Sequence, residues 1–203
     1  MDTLSANGEI HTIAFHGEGK HFCTGFDLAE AQARSDGDLL LRFVRVEQLL
    51  QAVWSAPVRT AAYAHGRAWG AGADLFAACD IRLAHASATF RFPGARFGLI
   101  LGTRRLAERI GGDRARHVLL SGETLDAERA VDAGLASQQV EADLAAWLAS
   151  LQAPAVDRQT VAAIHMRTRD SGADEDLAAL VRSATRPGLA DRIARYRAEL
   201  KKH

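Results

Sequence analysis

Two short segments of this 203-residue chain carry residue types at spacings that can do chemistry. The first, Lys20-His21-Phe22-Cys23-Thr24-Gly25-Phe26-Asp27-Leu28, leaves a predicted strand through a glycine that lets the backbone turn sharply and expose consecutive amides. The second runs Ala64-His65-Gly66-Arg67-Ala68-Trp69-Gly70-Ala71-Gly72-Ala73-Asp74-Leu75. Its small residues precede a helix, so the free amides of the first turn, near Ala71, point outward with the positive end of the helix dipole behind them. Two such amides converging from separate loops form an oxyanion hole. Each preorganised donor is worth on the order of 3 kcal/mol to an enolate or tetrahedral oxyanion.

Other motifs fail on residue identity. Gly19-Lys20 looks like the end of a phosphate-binding loop, but Ala14 stands where the first glycine is needed and His21 where Ser or Thr is needed. Gly70-Ala71-Gly72 begins like a dinucleotide fingerprint, yet its third glycine position is Leu75. Eight histidines are scattered without His-x-x-x-His or paired Cys-x-x-Cys spacing, which sets zinc aside.

Composition bounds the remaining classes. A hydrophobic share of 48% supports a sizeable core, and 25 Lys+Arg balance 25 Asp+Glu, which removes the electrostatic reason to expect a nucleic-acid or anionic-membrane partner. Cys23 and Cys79 cannot build a disulfide scaffold, and no basic-then-apolar leader opens the chain, so a reducing, cytoplasmic setting is expected. The richest apolar stretch, Ala61 to Cys79, is broken by His65, Arg67 and Asp74, short of the ~18 residues a membrane helix needs.

The elements that must position the two segments alternate between strand and helix. Strands are predicted over Ile10–Phe15, Val58–Ala64, Ile81–Ala84 and Thr89–Phe92. Helical spacing covers Asp27–Ala33, Leu39–Trp54 (closed by Pro57), Ala73–Cys79, Thr103–Ile110 (closed by Gly111-Gly112), Arg114–Leu120 and Ala127–Ala133. This alternation predicts an α/β domain with largely parallel pairing and chemistry in loops at strand ends. From about residue 141 only helices are read: Leu144–Leu151, Asp157–Arg167, Glu175–Ser183 and Leu189–Leu200. Their apolar faces must pack on the core or on another subunit, which divides the chain into a core over 1–140 and a helical C-terminal section over 141–203.

The two segments, with the later Ser121-Gly122-Glu123-Thr124-Leu125-Asp126-Ala127 and Ala133-Gly134-Leu135-Ala136, resemble the crotonase or enoyl-CoA hydratase/isomerase superfamily from about Ile10 to Ser137. The resemblance implies a crotonase-like ββα spiral core, a helical C-terminus that builds homotrimers or hexamers, a place in fatty acid metabolism and a pocket for an acyl-CoA thioester. Coenzyme A then enters as part of the substrate, with no separate cofactor. Carried over, the amides of Phe26 and Ala71 bind the thioester oxygen. Thr24 and the backbone of Phe26, Asp27 and Leu28 line the site for the CoA moiety, and a tail arginine among Arg182, Arg186, Arg192, Arg195 and Arg197 is a minor candidate for CoA phosphate.

The chain departs from that pattern at the acids. A hydratase sets two glutamates about its substrate, because addition across a double bond needs acid and base together. The first position is Asp74 here, one methylene shorter, and the second, after the Phe-x-x-Pro of Phe90 to Pro93, is Gly94. The turn after Gly102 is shortened, and the family's first strand pair and early helix have no counterpart before Met1. The resemblance therefore implies an acyl-CoA enzyme that stabilises an enolate, with Asp74 as acid or base, working as isomerase, lyase or thioester hydrolase rather than as a two-glutamate hydratase. The alternative is a noncatalytic binding or assembly subunit of the same fold. For Asp74 the plainer role is an acid solvating a helix start. Asp27 and Asp80 read as turn and strand-end residues, Cys23 and Cys79 as small core residues, and Trp54, Trp69 and Trp147 as packing residues.

Overall fold

Apolar runs bounded by turn residues become the strands, which in chain order are β1 (Thr12–His16), β2 (Arg59–Ala64), β3 (Arg67–Trp69), β4 (Ile81–His85), β5 (Thr89–Arg91), β6 (Leu125–Asp126) and β7 (Gln138–Val140). The computed structural model describes the whole chain except residues 2, 5, 6, 29, 30, 142, 170, 171 and 201–203 and the side chain of residue 32. β1, β2, β4 and β7 form a four-stranded sheet in the order β1-β2-β4-β7, parallel throughout. A second sheet has the order β3-β5-β6, with β3 and β5 parallel and β6 antiparallel. β2 is buried from Thr60 to Ala64, as expected of a strand flanked on both sides in a parallel sheet.

The helices are α1 (Asp36–Trp54), α2 (Ala71–Ala78), α3 (Thr103–Ile110), α4 (Gly112–Ser121), α5 (Ala127–Asp132), α6 (Leu144–Ser150), α7 (Arg158–Thr168), α8 (Ala173–Ala184) and α9 (Leu189–Leu200), with 3-10 turns at Ala31–Ala33 and Pro93–Phe97. The mixed α/β class with parallel pairing is as expected. Three strands are additional: β3, β6 and β7 are two or three residues long and partly polar, so no alternation announces them. Of the helix expected over 27–33, residues 29 and 30 lie outside the described residues, and 31–33 form a single 3-10 turn. No helix among the described residues is long and apolar enough to cross a membrane.

Two contacts fix the helices that enclose the cavities. The N-terminus of α1 is capped by Ser35, whose hydroxyl accepts the Asp38 amide at 3.1 Å. In the next position Asp36 receives the amides of Gly188, Leu189 and Ala190 at 3.0, 3.1 and 2.9 Å, tying α9 to α1. The Ala190 amide, aided by the other two, holds the Asp36 carboxyl below its ordinary value. The resulting cluster joins Leu39 and Phe43 of α1 to Leu180, Leu189, Ile193 and Tyr196 of α8 and α9, and to Phe97 and Leu99.

The second contact is ionic. On the buried stripe of α1, Glu47 lies between Phe43 and Leu50, and Arg105 of α3 bonds both its oxygens at 2.7 and 2.6 Å. Arg105 is 0% exposed and also reaches Asp176 of α8 at 3.0 Å and Gln51 at 3.2 Å. Burial raises the Glu47 carboxyl above its usual value while the bonded arginine opposes that shift. Removing one member of such a pair strands the other charge in a low-dielectric interior. Glu47→Leu should lower unfolding free energy in urea denaturation by about 3–5 kcal/mol, and the double substitution Glu47→Leu/Arg105→Met should recover most of that loss.

Candidate active site

Residues 22–23 run parallel to β3, and their hydrogen bonds set the register of everything that follows. The Phe22 amide donates to the His65 carbonyl at 2.9 Å, Cys23 to Arg67 at 3.1 Å, and Trp69 back to Cys23 at 2.9 Å. Each strand then leaves at a glycine of positive φ, Gly25 at 90° and Gly70 at 55°. A Cβ on Gly25 would stand 2.6 Å from the Trp69 carbonyl oxygen and 3.2 Å from the Ala71 nitrogen, so only a bare α-carbon permits the approach. Gly72 is equally constrained, since its Cβ would fall 2.3 Å from the Cys23 carbonyl oxygen. The two sequence segments are thus packed backbone to backbone.

Ala71 is the first residue of α2, where an amide has no acceptor within the helix. Among the described residues, neither the Ala71 nor the Phe26 amide donates a hydrogen bond. Phe26 and Ala71 wall two cavities. One, of about 300 Å³, also takes in Thr24, Leu28, Asp74 and Gly94 and is otherwise mostly apolar, with Phe43, Phe92, Leu99 and Leu101 among its walls. The other, of about 450 Å³, takes in Asp27 and the arginines Arg34 and Arg42. The Phe26 ring is anchored on Phe43, with centroids 4.6 Å apart.

Asp74 sits in the first turn of α2, is 5% exposed, and faces the smaller cavity. Gly102, which opens α3 in the left-handed conformation, lies against its carboxylate, where a Cβ would come within 2.1 Å of Oδ1. Burial pushes the Asp74 carboxyl well above the usual carboxylate range, with the positive Arg105 opposing and Glu47 adding to the rise. The Asp74 carboxyl receives no hydrogen bond from any described residue.

Sequence reading reached Asp74 and the two turns but not what surrounds them. The contact of Gly102 with Asp74, the Glu47–Arg105 pair and the wall residues at 97–101 and 119–120 lie outside it. A carboxylate on the apolar stripe of α1 was the one legible signal, because an acid at that spacing must meet a buried cation. Thr24, Phe26, Leu28, Ala71 and Asp74 come together at the smaller cavity, whereas Asp27 belongs to the larger.

Several singled-out residues serve elsewhere. Asp80 accepts the Thr60 amide and hydroxyl at 2.7 and 3.0 Å and pairs with Arg169. His65 contacts the Gly19 carbonyl at 3.0 Å, and Trp69 donates to Thr89 at 3.2 Å while Arg67 stacks on its ring. Cys79 is buried, which pushes its thiol up to about 12, and Cys23 is half-buried in the wall of the larger cavity. Arg192 is absorbed by the carbonyls of Phe97, Arg186, Pro187 and Ser183.

The enoyl-CoA hydratase/isomerase family model matches residues 1–179. A Bacillus subtilis (strain 168) protein named as an enoyl-CoA hydratase is 33% identical over 141 residues, covering 68% of this chain and 55% of the relative. A similarly named Mycobacterium tuberculosis (strain CDC 1551 / Oshkosh) protein is 36% identical over 152 residues, covering 72% and 60%. The chain therefore spans little more than half the length of these curated relatives. A crystal structure from Bordetella parapertussis, named in the enoyl-CoA hydratase/isomerase group, superposes with a TM-score of 0.91 at 44% identity, over 97% of this chain and 84% of that one. The enoyl-CoA hydratase structure from Bacillus halodurans, at 20% identity and a TM-score of 0.78, shares the fold. With a family match running from the first residue through α7 and a fold that superposes on crotonase-type structures along nearly its whole length, this chain is a member of the enoyl-CoA hydratase/isomerase family.

Proposed function

We propose that this chain binds an acyl-CoA thioester and stabilises its enolate, with the thioester oxygen between the amides of Phe26 and Ala71. The observation that carries this reading is a pair of donors without protein acceptors, on two turns held against each other by Gly25 and Gly70, at the boundary of two cavities. The acyl group enters the smaller, apolar cavity. The larger one, with Arg34 and Arg42, takes the phosphate-bearing CoA arm, and Thr24, Asp27 and Leu28 line the passage between.

Asp74 then serves as the single acid or base for the carbon next to the thioester. As the proton leaves that carbon, negative charge collects on the oxygen, where the two amides lower the barrier. Position 94 offers no partner for this proton, so concerted addition of water is disfavoured and proton removal and return, as in double-bond isomerisation, is the chemistry one carboxyl supports. Gly94 also favours a second reading, binding without turnover, which the same experiments separate. The helices beyond residue 141 are proposed as the oligomerisation region, because Leu148, Val156, Ile164 and Met166 expose apolar surface along α6, α7 and the link between them.

Pro is accommodated at the first position of a helix, where a ring carbon replaces the amide hydrogen and the donor is lost. Ala71→Pro should therefore slow α-proton exchange of an acyl-CoA in deuterated water by roughly 10²-fold or more, with near-parental thermal unfolding. Asp74→Asn should abolish that exchange. Because burial raises the Asp74 carboxyl and a base must be ionised, parental exchange should fall as pH drops through a limb above ~3.9, the unperturbed aspartate value, and the variant should lack the limb. Tight acyl-CoA binding with no exchange at any pH would establish the noncatalytic reading. Sedimentation velocity should show a trimer or hexamer that dissociates in Ile164→Glu/Met166→Glu.

A further inference from the structure

Gly94 is a glycine that its backbone does not require. Its φ is not positive, and a Cβ there would meet only the Leu99 carbonyl oxygen at 3.6 Å and the Leu99 Cβ at 3.9 Å, both ordinary contacts. At Gly25, Gly72 and Gly102, by contrast, a Cβ would collide at 2.6, 2.3 and 2.1 Å. The Gly94 backbone is itself fixed, since its carbonyl accepts the Leu99 amide at 2.9 Å within the Pro93–Phe97 turn. What the missing side chain changes is the cavity that Gly94 lines.

The place of that opening is set by Pro93, whose ring lies 3.8 Å from where a Cβ of Gly70 would stand. Gly70 immediately precedes Ala71, so Gly94 borders the cavity at its thioester end rather than at its far end. Around it the wall is hydrocarbon, with Phe92, Phe97 and Leu99 nearly or fully buried. Arg116 reaches the same cavity but is 69% exposed and paired with Asp113. At about 300 Å³ the space equals on the order of ten liquid-water volumes. A slim straight chain would leave the strip beside Gly94 without contacts and forfeit the dispersion attraction that a broader group collects.

We infer that Gly94 is a specificity-determining residue that opens the acyl cavity beside the thioester for an apolar acyl group broad next to its carbonyl, branched or ring-bearing, in preference to a straight chain. The inference rests on the acyl-CoA reading above. It is tested by isothermal titration of the full chain with butyryl-CoA, its branched isomer isobutyryl-CoA and benzoyl-CoA, in the parent, Gly94→Ala and Gly94→Leu. The parent should bind isobutyryl-CoA or benzoyl-CoA at least roughly tenfold more tightly than butyryl-CoA, and Gly94→Leu should shift that ratio toward butyryl-CoA by tenfold or more. Gly94→Ala, whose Cβ has room, should move the ratio in the same direction and keeps the test in force where the leucine variant does not fold. Binding of all three ligands with a ratio unmoved by either substitution overturns this inference alone. A parent that binds none of them overturns the acyl-CoA reading and the inference with it.

Discussion

The arrangement depends on one close approach, that of the turn at Gly25 to the turn at Gly70 and Ala71. A parallel pairing of residues 22–23 with β3 delivers both backbones to the same level, and each then bends away at a residue without a β-carbon. The separation is so small that carbonyl oxygens occupy the positions where side chains would begin. Two amides are left facing a cavity boundary instead of a neighbouring strand. In the proposed oxyanion site these dipoles are already in place, so little reorganisation is needed when charge develops.

The carboxyl group beside that approach is held by different means. Asp74 belongs to the same helix as Ala71, so its distance from the amides is fixed by one helical turn. Its surroundings come from elsewhere: Gly102 closes on it from α3, and the Glu47–Arg105 pair locks α3 to α1 behind it. Desolvation then sets its acidity, with the nearby guanidinium only partly offsetting it. The buried aspartate and the bare position 94 together leave one carboxyl among the described residues that line the cavity, a composition that suits the proposed movement of a proton off and on one carbon.

The end of the chain shapes this cavity as much as the two loops do. Asp36 gathers three amides at the start of α9, and the hydrophobic cluster beneath it includes Phe97 and Leu99, which also wall the cavity. The C-terminal helices α8 and α9 therefore pack on the segment that carries Pro93 and Gly94. A change far along the sequence, at Leu180 or Ile193, bears on the cavity wall through that cluster.

The sequence by itself determined what short-range rules control. Helix ends at Pro57 and Gly111, the buried run of β2, the alternation of strand and helix, and the two glycine-bearing turns were all legible, because each rests on conformational preferences of neighbouring residues. So was the presence of a carboxyl at position 74 and its absence at 94. Undetermined were β3, β6 and β7, too short and too polar to show a period, the partner of Glu47, the contact of Gly102 with Asp74, and the walls supplied by residues 97–101 and 119–120. Those are decided by which distant segments share a volume. Only the folded chain sets that, because burial, and with it the acidity of Asp74 and the shape of the space beside Gly94, is a property of the enclosure and not of any residue within it.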